Sequence, residues 1–327
     1  MTIHNPHLFK LIQKFPFLSK LFTITDGLII EPEDERDFIF GANTVDKVVL
    51  REDGQWLNFL PEDELQRGRR VETMGCTGYA LLNVLEMVAK LKWGKQWNKS
   101  DRFTNKMSGT GRNGNSLSRV LESVRKYHGV VKEVNWPWSR DNFTWNDYYS
   151  GIPLDIQDIG TEWLENYGIS YERVTYNKQL LMESLKYSPL YVAGYAWYQR
   201  KGLYQSYSTA NHAFTIVGYV EGSHWLAYDS YSPHIKKLAW DFYIPWAYVV
   251  TLKKESDFNV AEIQKLLDKG IKYIMRALAS GQMYELTPEG LKYLTPEEAR
   301  DLGIKMLAVD KKLIGIPEDY YNKLNND

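Results

Sequence analysis

The stretch from Thr73 to Gly94 (TMGCTGYALLNVLEMVAKLKWG) constrains this chain more than any other. Apolar side chains at Ala80, Val84, Met87, Val88 and Leu91 recur at spacings of three and four, which places them on one face of a helix. Leu81, Leu82, Leu85 and Ala89 fill much of the remaining circumference. A helix apolar nearly all round belongs inside a core, so the rest of the fold must be built around it. Cys76, the one cysteine of the chain, opens this helix. Unpaired backbone N–H groups and the helix dipole favour a thiolate at such a first turn. Gly75 and Gly78 put no side chains beside it to block approach. A free cysteine is more commonly a small core hydrophobe, so the decision falls to other residues.

A length of 327 residues implies about two folding units. Forty basic residues against 41 acidic ones leave no net field for nucleic acid or anionic lipid. One cysteine excludes an internal disulfide. No apolar run approaches the roughly 18 residues of a membrane span. The N-terminus lacks the apolar region and cleavage site of a signal peptide. A cytoplasmic or assembly-associated protein is expected.

Residues 1–27 read as an amphipathic N-terminal extension that docks on the protein's own body, a protein partner or a membrane surface, self-docking being favoured. Residues 28–254 read as the main domain. It begins with a β-hairpin, Lys47–Leu50 and Trp56–Phe59 turning at Glu52-Asp53-Gly54. Asn98–Met107 is polar, and Ser116–Tyr127 reads as a helix behind a glycine-rich loop. Gly109, Gly111 and Gly114 match the dinucleotide fingerprint, but no buried strand precedes them, as that fingerprint requires. The aromatics of 130–175 are interleaved with Asp and Asn, a packing pattern and not a base-stacking platform. Lys178–Tyr187 reads as a helix, followed by strands from Pro189, at His212–Tyr219, His224–Asp229 and Ala247–Leu252. Residues 255–327 read as a mostly helical appendage, with an amphipathic helix over Ala261–Ala279, and as a second candidate surface for a protein partner.

A thiol nucleophile needs a base in contact with it and a third group to hold that base. His212 opens a strand 136 residues after Cys76 (212 − 76), and Asp229 ends the next strand. If the two strands join through a loop with an even number of residues, positions 212 and 229 share a face; an odd loop puts them on opposite faces. His224 and His234 are weaker candidates for the base. A His4-x-x-His7 pair lacks further metal ligands, so neither a metal nor a cofactor is expected.

Met74-Gly-Cys-Thr-Gly-Tyr-Ala-Leu-Leu-Asn resembles the active-site helix of papain-like cysteine peptidases, with Cys76 at the nucleophile's place. Asn211-His212-Ala213 is similar to the family's Asp/Asn-His-Ala strand, and Asp229-Ser230-Tyr231 to its Asn-Ser-Trp element. Arg112-Asn113-Gly114-Asn115 falls where the family has the loop that binds substrate backbone. Tyr127-His-Gly-Val-Val and Trp136-Pro-Trp follow in family order, so the resemblance spans roughly residues 55–254. It implies a divergent member of bacterial or phage type: an α+β fold of a helical lobe (about 76–127) and a sheet-rich, barrel-like lobe (about 188–252) with the site between them.

The resemblance also implies a hydrolase that cleaves peptide bonds through a thioester acyl-enzyme on a Cys76–His212–Asp229 triad. Substrate would lie along Asn113, Gly114, Asn115, Ala213 and Tyr231, and Tyr231 would stand where a tryptophan shields the histidine. Two departures matter. The family's oxyanion glutamine lies six residues before the cysteine, where this chain has Arg70; Gln66, ten before, could serve only across an inserted loop. Aspartate also replaces asparagine as the third group, which should favour the imidazolium. The rival readings are a papain-fold structural or interaction protein without activity and a Cys–His amidase acting on cell-wall peptides.

Overall fold

The computed structural model describes residues 27–30, 39–40, 48–206 and 208–254, together with short segments between 273 and 317. Six helices precede most of the main sheet. They are α1 (Cys76–Trp93), α2 (Asp101–Met107), α3 (Leu117–Glu122), α4 (Trp145–Tyr148), α5 (Leu154–Asn166) and α6 (Lys178–Ser184). In α1 every residue from Cys76 to Ala89 except Asn83 is buried, as its apolar circumference requires. Gly94 ends it in the left-handed conformation, its N–H donating to Lys90 O, a conformation glycine adopts without steric cost. The shorter helices start at side-chain caps, Ser100, Ser116, Thr144 and Asn177, each accepting from a first-turn N–H.

The polar stretch Asn98–Met107 forms α2, which sequence alone did not mark. Phe103 is fully buried, and Arg102 is satisfied by the carbonyls of Pro137, Asp147 and Tyr148. The helix expected over Ser116–Tyr127 is shorter as an α-helix: α3 ends at Glu122, and a widened π turn carries the chain to His128. In the aromatic-rich segment, Trp163 of α5 stacks on Tyr167 with ring centroids 5.2 Å apart, a packing role.

Eight strands form one sheet in the order β1-β8-β2-β5-β6-β7-β4-β3. Their ranges are β1 (Tyr167–Val174), β2 (Leu190–Gly194), β3 (Tyr198–Arg200), β4 (Leu203–Gln205), β5 (His212–Val220), β6 (His224–Tyr228), β7 (Ile235–Ala239) and β8 (Trp246–Lys254). Seven consecutive residues of β5, from His212 to Gly218, are buried, so both faces of this strand are covered. Two side chains tie the sheet to α1: Thr215 Oγ1 donates to Ala80 O at 3.1 Å and Tyr191 OH to Thr77 O at 2.9 Å. The first turns of α1 are thereby fixed against the start of β5.

Among the described residues the leading hairpin is not formed. Leu57–Phe59 is a single 3-10 turn, and Leu50 and Arg51 donate to Lys186 O while Trp56 donates to Val217 O. The indole of Trp56 is fully buried, its Nε1 bonded to Leu185 O at 2.8 Å. This long-range anchoring outweighs the local alternation that favoured pairing of the segment with itself.

The appendage also differs from expectation in its described residues. They form strands β9 (Tyr273–Met275), β10 (Met283–Thr287), β11 (Gly290–Leu294), β12 (Ile304–Val309) and β13 (Lys312–Pro317). β10 and β11 pair in register from Met283↔Leu294 to Thr287↔Gly290, a hairpin closed over two residues. Lysines spaced through an apolar pattern are compatible with either period over so short a run. The remainder of Ala261–Ala279, and the extension before Gly27, lie outside the described residues.

Candidate active site

Cys76 begins α1 at a turn with no side-chain cap, and its Sγ accepts from the N–H of Ala213 in β5 at 3.4 Å. The neighbouring residue, His212, turns its ring toward Asp229: Nε2 lies 2.6 Å from Asp229 Oδ1. The other ring nitrogen, Nδ1, makes no conventional hydrogen bond. All three residues, Cys76, His212 and Asp229, are 0% exposed. Burial by itself would lower the pKa of His212, but the Asp229 carboxylate and then Cys76 outweigh it and hold it well above the ordinary imidazole value. Asp229 is pushed up by burial, and His212 and Lys236 overcome this to hold it below its usual range. The arrangement favours a protonated imidazole between a sulfur and a carboxylate.

The meeting of His212 and Asp229 has an unexpected cause. Val220 pairs with His224, which leaves a three-residue loop, and an odd loop alone would place 212 and 229 on opposite faces. A bulge between Ile216 and Gly218 shifts the register, so that Ile216 faces Ala227 and Thr215 faces Tyr228. That one extra residue reverses the parity and returns Asp229 to the face of His212.

Gln66 reaches the same region. Its Oε1 accepts from Ser230 Oγ at 2.8 Å, and its Nε2 donates to Tyr231 OH at 2.7 Å and Glu72 Oε1 at 2.9 Å. The extra length between Gln66 and Cys76 is taken up by a tight turn, in which Arg67 bridges Glu72 and Gly68 N–H donates to Val71 O. Arg70 sits at its tip, exposed and bonded to Asn142 O. Tyr231 lies with its ring centroid 5.4 Å from that of His212.

Other expectations need correction. Gly75 and Gly78 do not open a path to Cys76. A Cβ on either would come within 2.3 Å of the Asn105 amide, so they serve the close packing of α1 on α2. The Asn115 side chain is buried and spent on Ser108 O, Ser108 Oγ, Thr110 Oγ1 and Ser116 N–H, because it holds its own loop together. Its backbone is also occupied: Asn115 N–H donates to Gly27 O and Ile29 N–H donates to Asn115 O. Gly114 is pressed on the same segment, where a Cβ would lie 1.9 Å from Gly27 O. Asn113 remains exposed at the tip. The ledge expected to take substrate backbone is therefore filled by residues 27–30 of the chain itself.

Neither alternative histidine approaches the sulfur: His224 Nδ1 bonds Ser223 Oγ at the surface, and His234 Nδ1 bonds Asp229 O. Two residues of the site carried no sequence signal. Trp197 donates from Nε1 to Asp229 Oδ2 at 3.1 Å and sets its ring 5.6 Å from His212. Lys236, buried in β7, lies 2.8 Å from the same Oδ2. Trp197 is separated from the recognisable motifs in sequence, and Lys236, seven residues past Asp229 (236 − 229), is folded back beside it by the pairing of β6 with β7. Among the described residues, no group of three or more His, Cys, Asp or Glu side chains is placed to hold a metal ion, and no helix is long and apolar enough to cross a membrane.

No family model and no curated protein matches the chain. Among solved structures, the cysteine protease and lectin-like domains of Cwp84, a surface layer associated protein of Clostridium difficile, share 12% identity with it. The TM-score is 0.55, over 86% of this chain and 64% of that one. Bromelain from Ananas comosus, in complex with the E64 inhibitor, shares 19% identity at a TM-score of 0.45, over 61% of this chain and 96% of that one. Digestive procathepsin L 3 of Tenebrio molitor larval midgut shares 12% at a TM-score of 0.47, over 73% and 79%. The chain thus spans a little under two thirds of the length of the Cwp84 chain. The likeness is one of fold: an α+β papain-like two-lobe architecture.

Proposed function

We propose that this papain-fold chain is a thiol peptidase acting through Cys76, His212 and Asp229. The observation that supports it is the convergence of a helix N-terminus with two residues of the β5–β6 hairpin, His212 Nε2 lying 2.6 Å from Asp229 Oδ1 and the Cys76 sulfur 3.4 Å from the adjoining Ala213 N–H. In this reading the Cys76 thiolate attacks a peptide carbonyl and forms a thioester. The imidazolium of His212 protonates the leaving amine, and the neutral ring then activates water for deacylation. Asp229 fixes the imidazole tautomer by accepting from Nε2, which leaves Nδ1 for the sulfur. The Cys76 backbone N–H at the uncapped start of α1 and the amide of Gln66 are the donors for the oxyanion. The substrate is a peptide or protein; a Cys–His amidase acting on cell-wall peptides would use the same groups.

Because Cys76 is the sole cysteine, labelling reports on it alone. An epoxide or aldehyde inhibitor of thiol proteases is expected to modify the protein at pH 6 far faster than it modifies a free thiol. His212→Ala should abolish that advantage. Equal rates for the protein and a free thiol would reject the peptidase reading.

One observation favours a second reading, a papain-fold structural or interaction protein. Cys76 and His212 are both fully buried, and residues 27–30 lie on the ledge at Asn115. A substrate must displace that segment before it can react, and if the segment never yields, the fold alone remains. The same labelling separates the two readings. Residues 1–27 and 255–327 are the surfaces we assign to a protein partner under this second reading.

A further inference from the structure

Behind His212 the chain carries an acid, and behind the acid a buried base. Asp229 Oδ1 faces His212, while its Oδ2 takes Lys236 Nζ at 2.8 Å and Trp197 Nε1 at 3.1 Å. Lys236 and Asp229 are both withdrawn from solvent, at 2% and 0% side-chain exposure. The ammonium is held on all sides. Its other protons go to the carbonyls of Tyr231 and Pro233, both at 2.5 Å. The rings of Trp197 and Tyr204 lie 5.2 and 6.0 Å from it. Such a lysine costs desolvation energy that surface residues avoid, so its placement calls for a reason at the site.

We propose that Lys236 is a positioning residue that offsets the Asp229 charge felt by His212, so that the buried Asp229–Lys236 pair stands behind the imidazole as a neutral unit. The inference rests on the thiol-peptidase reading above. A lone carboxylate 2.6 Å from a buried imidazolium would hold its proton too tightly, since attraction is strong where water is excluded. An imidazolium that must release its proton to a leaving amine works best with a pKa near the operating pH. Lys236, on the far oxygen of the same carboxylate, removes much of that excess. It also prevents rotation of the carboxylate, because Oδ2 is pinned while Oδ1 serves His212. The titratable and charged groups around the pair are Cys76 on α1, His212 on β5, Tyr204 on β4, Lys236 on β7, and Tyr231 and His234 in the β6–β7 loop, His234 bonding the Asp229 backbone carbonyl at 2.7 Å, with Glu72 beyond Gln66. Among the described residues, Lys236 is the cation in contact with the far oxygen of the carboxylate.

The test is a charge cycle read through the pH dependence of Cys76 alkylation by iodoacetate in the full chain. The anionic reagent reacts with a thiolate beside an imidazolium, so the rate falls on the alkaline side as His212 loses its proton. Lys236→Met leaves one uncompensated negative charge and is expected to move that alkaline limb up by about one to two pH units. Asp229→Asn leaves one uncompensated positive charge and should move it down by a similar amount. The double variant, Asp229→Asn with Lys236→Met, removes both charges and should return the limb to within a few tenths of a unit of the wild type. Lys236→Arg should stay near wild type. If Lys236→Met does not fold, the comparison of Asp229→Asn with the double variant carries the same information. A normal wild-type limb that the lysine substitution leaves in place, in either background, overturns this proposal alone. A wild-type chain with no alkaline limb and no enhanced reactivity overturns the peptidase reading, and this proposal with it.

Discussion

Gln66 is where a single side chain does most to separate catalysis from architecture. Its carbonyl is bound by Ser230 and its amide by Tyr231 and Glu72, so it ties the loop after Asp229 to the segment leading into α1. To donate to an oxyanion it exchanges one of these partners. Gln66→Ala is expected to lower kcat/KM for a peptide substrate by about 10²–10³, the usual loss for one oxyanion donor. Alkylation of Cys76 by iodoacetamide should stay within about threefold of the wild type, since no oxyanion forms in that reaction. An equal loss in both assays would mean that Gln66 supports the fold and not the transition state. Gln66→Ala also leaves Ser230 Oγ without its buried acceptor, so a stability loss of about 1–2 kcal/mol is expected in urea unfolding.

At the scale of elements, the segment 27–30 and the β5–β6 bulge govern access and alignment. Gly27 adopts φ +103°, and a Cβ there would lie 2.4 Å from Met74 O. Gly27→Val therefore cannot seat on the ledge beside Gly114 and Asn115. The expected outcome is faster labelling of Cys76 by a peptidyl epoxide, about tenfold or more, with a smaller gain for iodoacetamide. Equal gains, or none, would show that residues 27–30 do not obstruct the approach of an extended peptide. At the bulge, a variant lacking Gly218 still sets Ile216 opposite Ala227 and Thr215 opposite Tyr228 once the strand is regular, so Asp229 keeps the face of His212. Thiol reactivity at pH 6 should then stay near that of the wild type; a fall to that of a free thiol, in a variant whose sheet still forms by circular dichroism, would show that the bulge itself positions His212.

For the whole molecule, buried carboxyls in the helical lobe set the response to pH. Burial, and then the charge of Glu64, raise Glu133 to about 7. Burial likewise drives Asp101 and Glu86 well above their ordinary values. A carboxyl whose pKa is raised on folding binds its proton more tightly in the folded state. Its contribution is thus fully present below the unfolded value and is lost as pH rises through the folded one. Glu122 acts in the opposite sense: burial raises it, but Arg125, Lys126 and Tyr171 outweigh this and pull it to about 2. Its contribution is present at neutral pH and lost only in strong acid. The molecule is therefore expected to melt at a higher temperature near pH 5 than near pH 8. Glu133→Gln should remove part of that difference, by about 2–3 kcal/mol at pH 8, with little effect at pH 4. A pH-independent melting temperature would contradict the raised carboxyls.

The chain's own residues were enough to identify the buried helix from Cys76 and the strands that bring in His212 and Asp229, because each depends on local periodicity and on side-chain chemistry carried within a short segment; the two-lobe class was implied by the resemblance of those motifs to a known family. Sequence spacing could not decide whether Gln66 reaches the site, since a turn of any length from Arg67 to Glu72 was compatible with it. It left open the face of Asp229, which a bulge of one residue reverses. It misread Trp56–Phe59, where contacts with distant segments override a weak local pattern, and the appendage, whose described strands pair with their neighbours along the chain over runs too short to fix a period. Lys236 and Trp197 were invisible because no local pattern marks either as a partner of Asp229, and only the pairing of β6 with β7 and the path of the chain after β2 bring them to it. Local periodicity settles what the strongly patterned segments become, whereas the charge environment of the site is a sum over segments that meet only when the sheet closes.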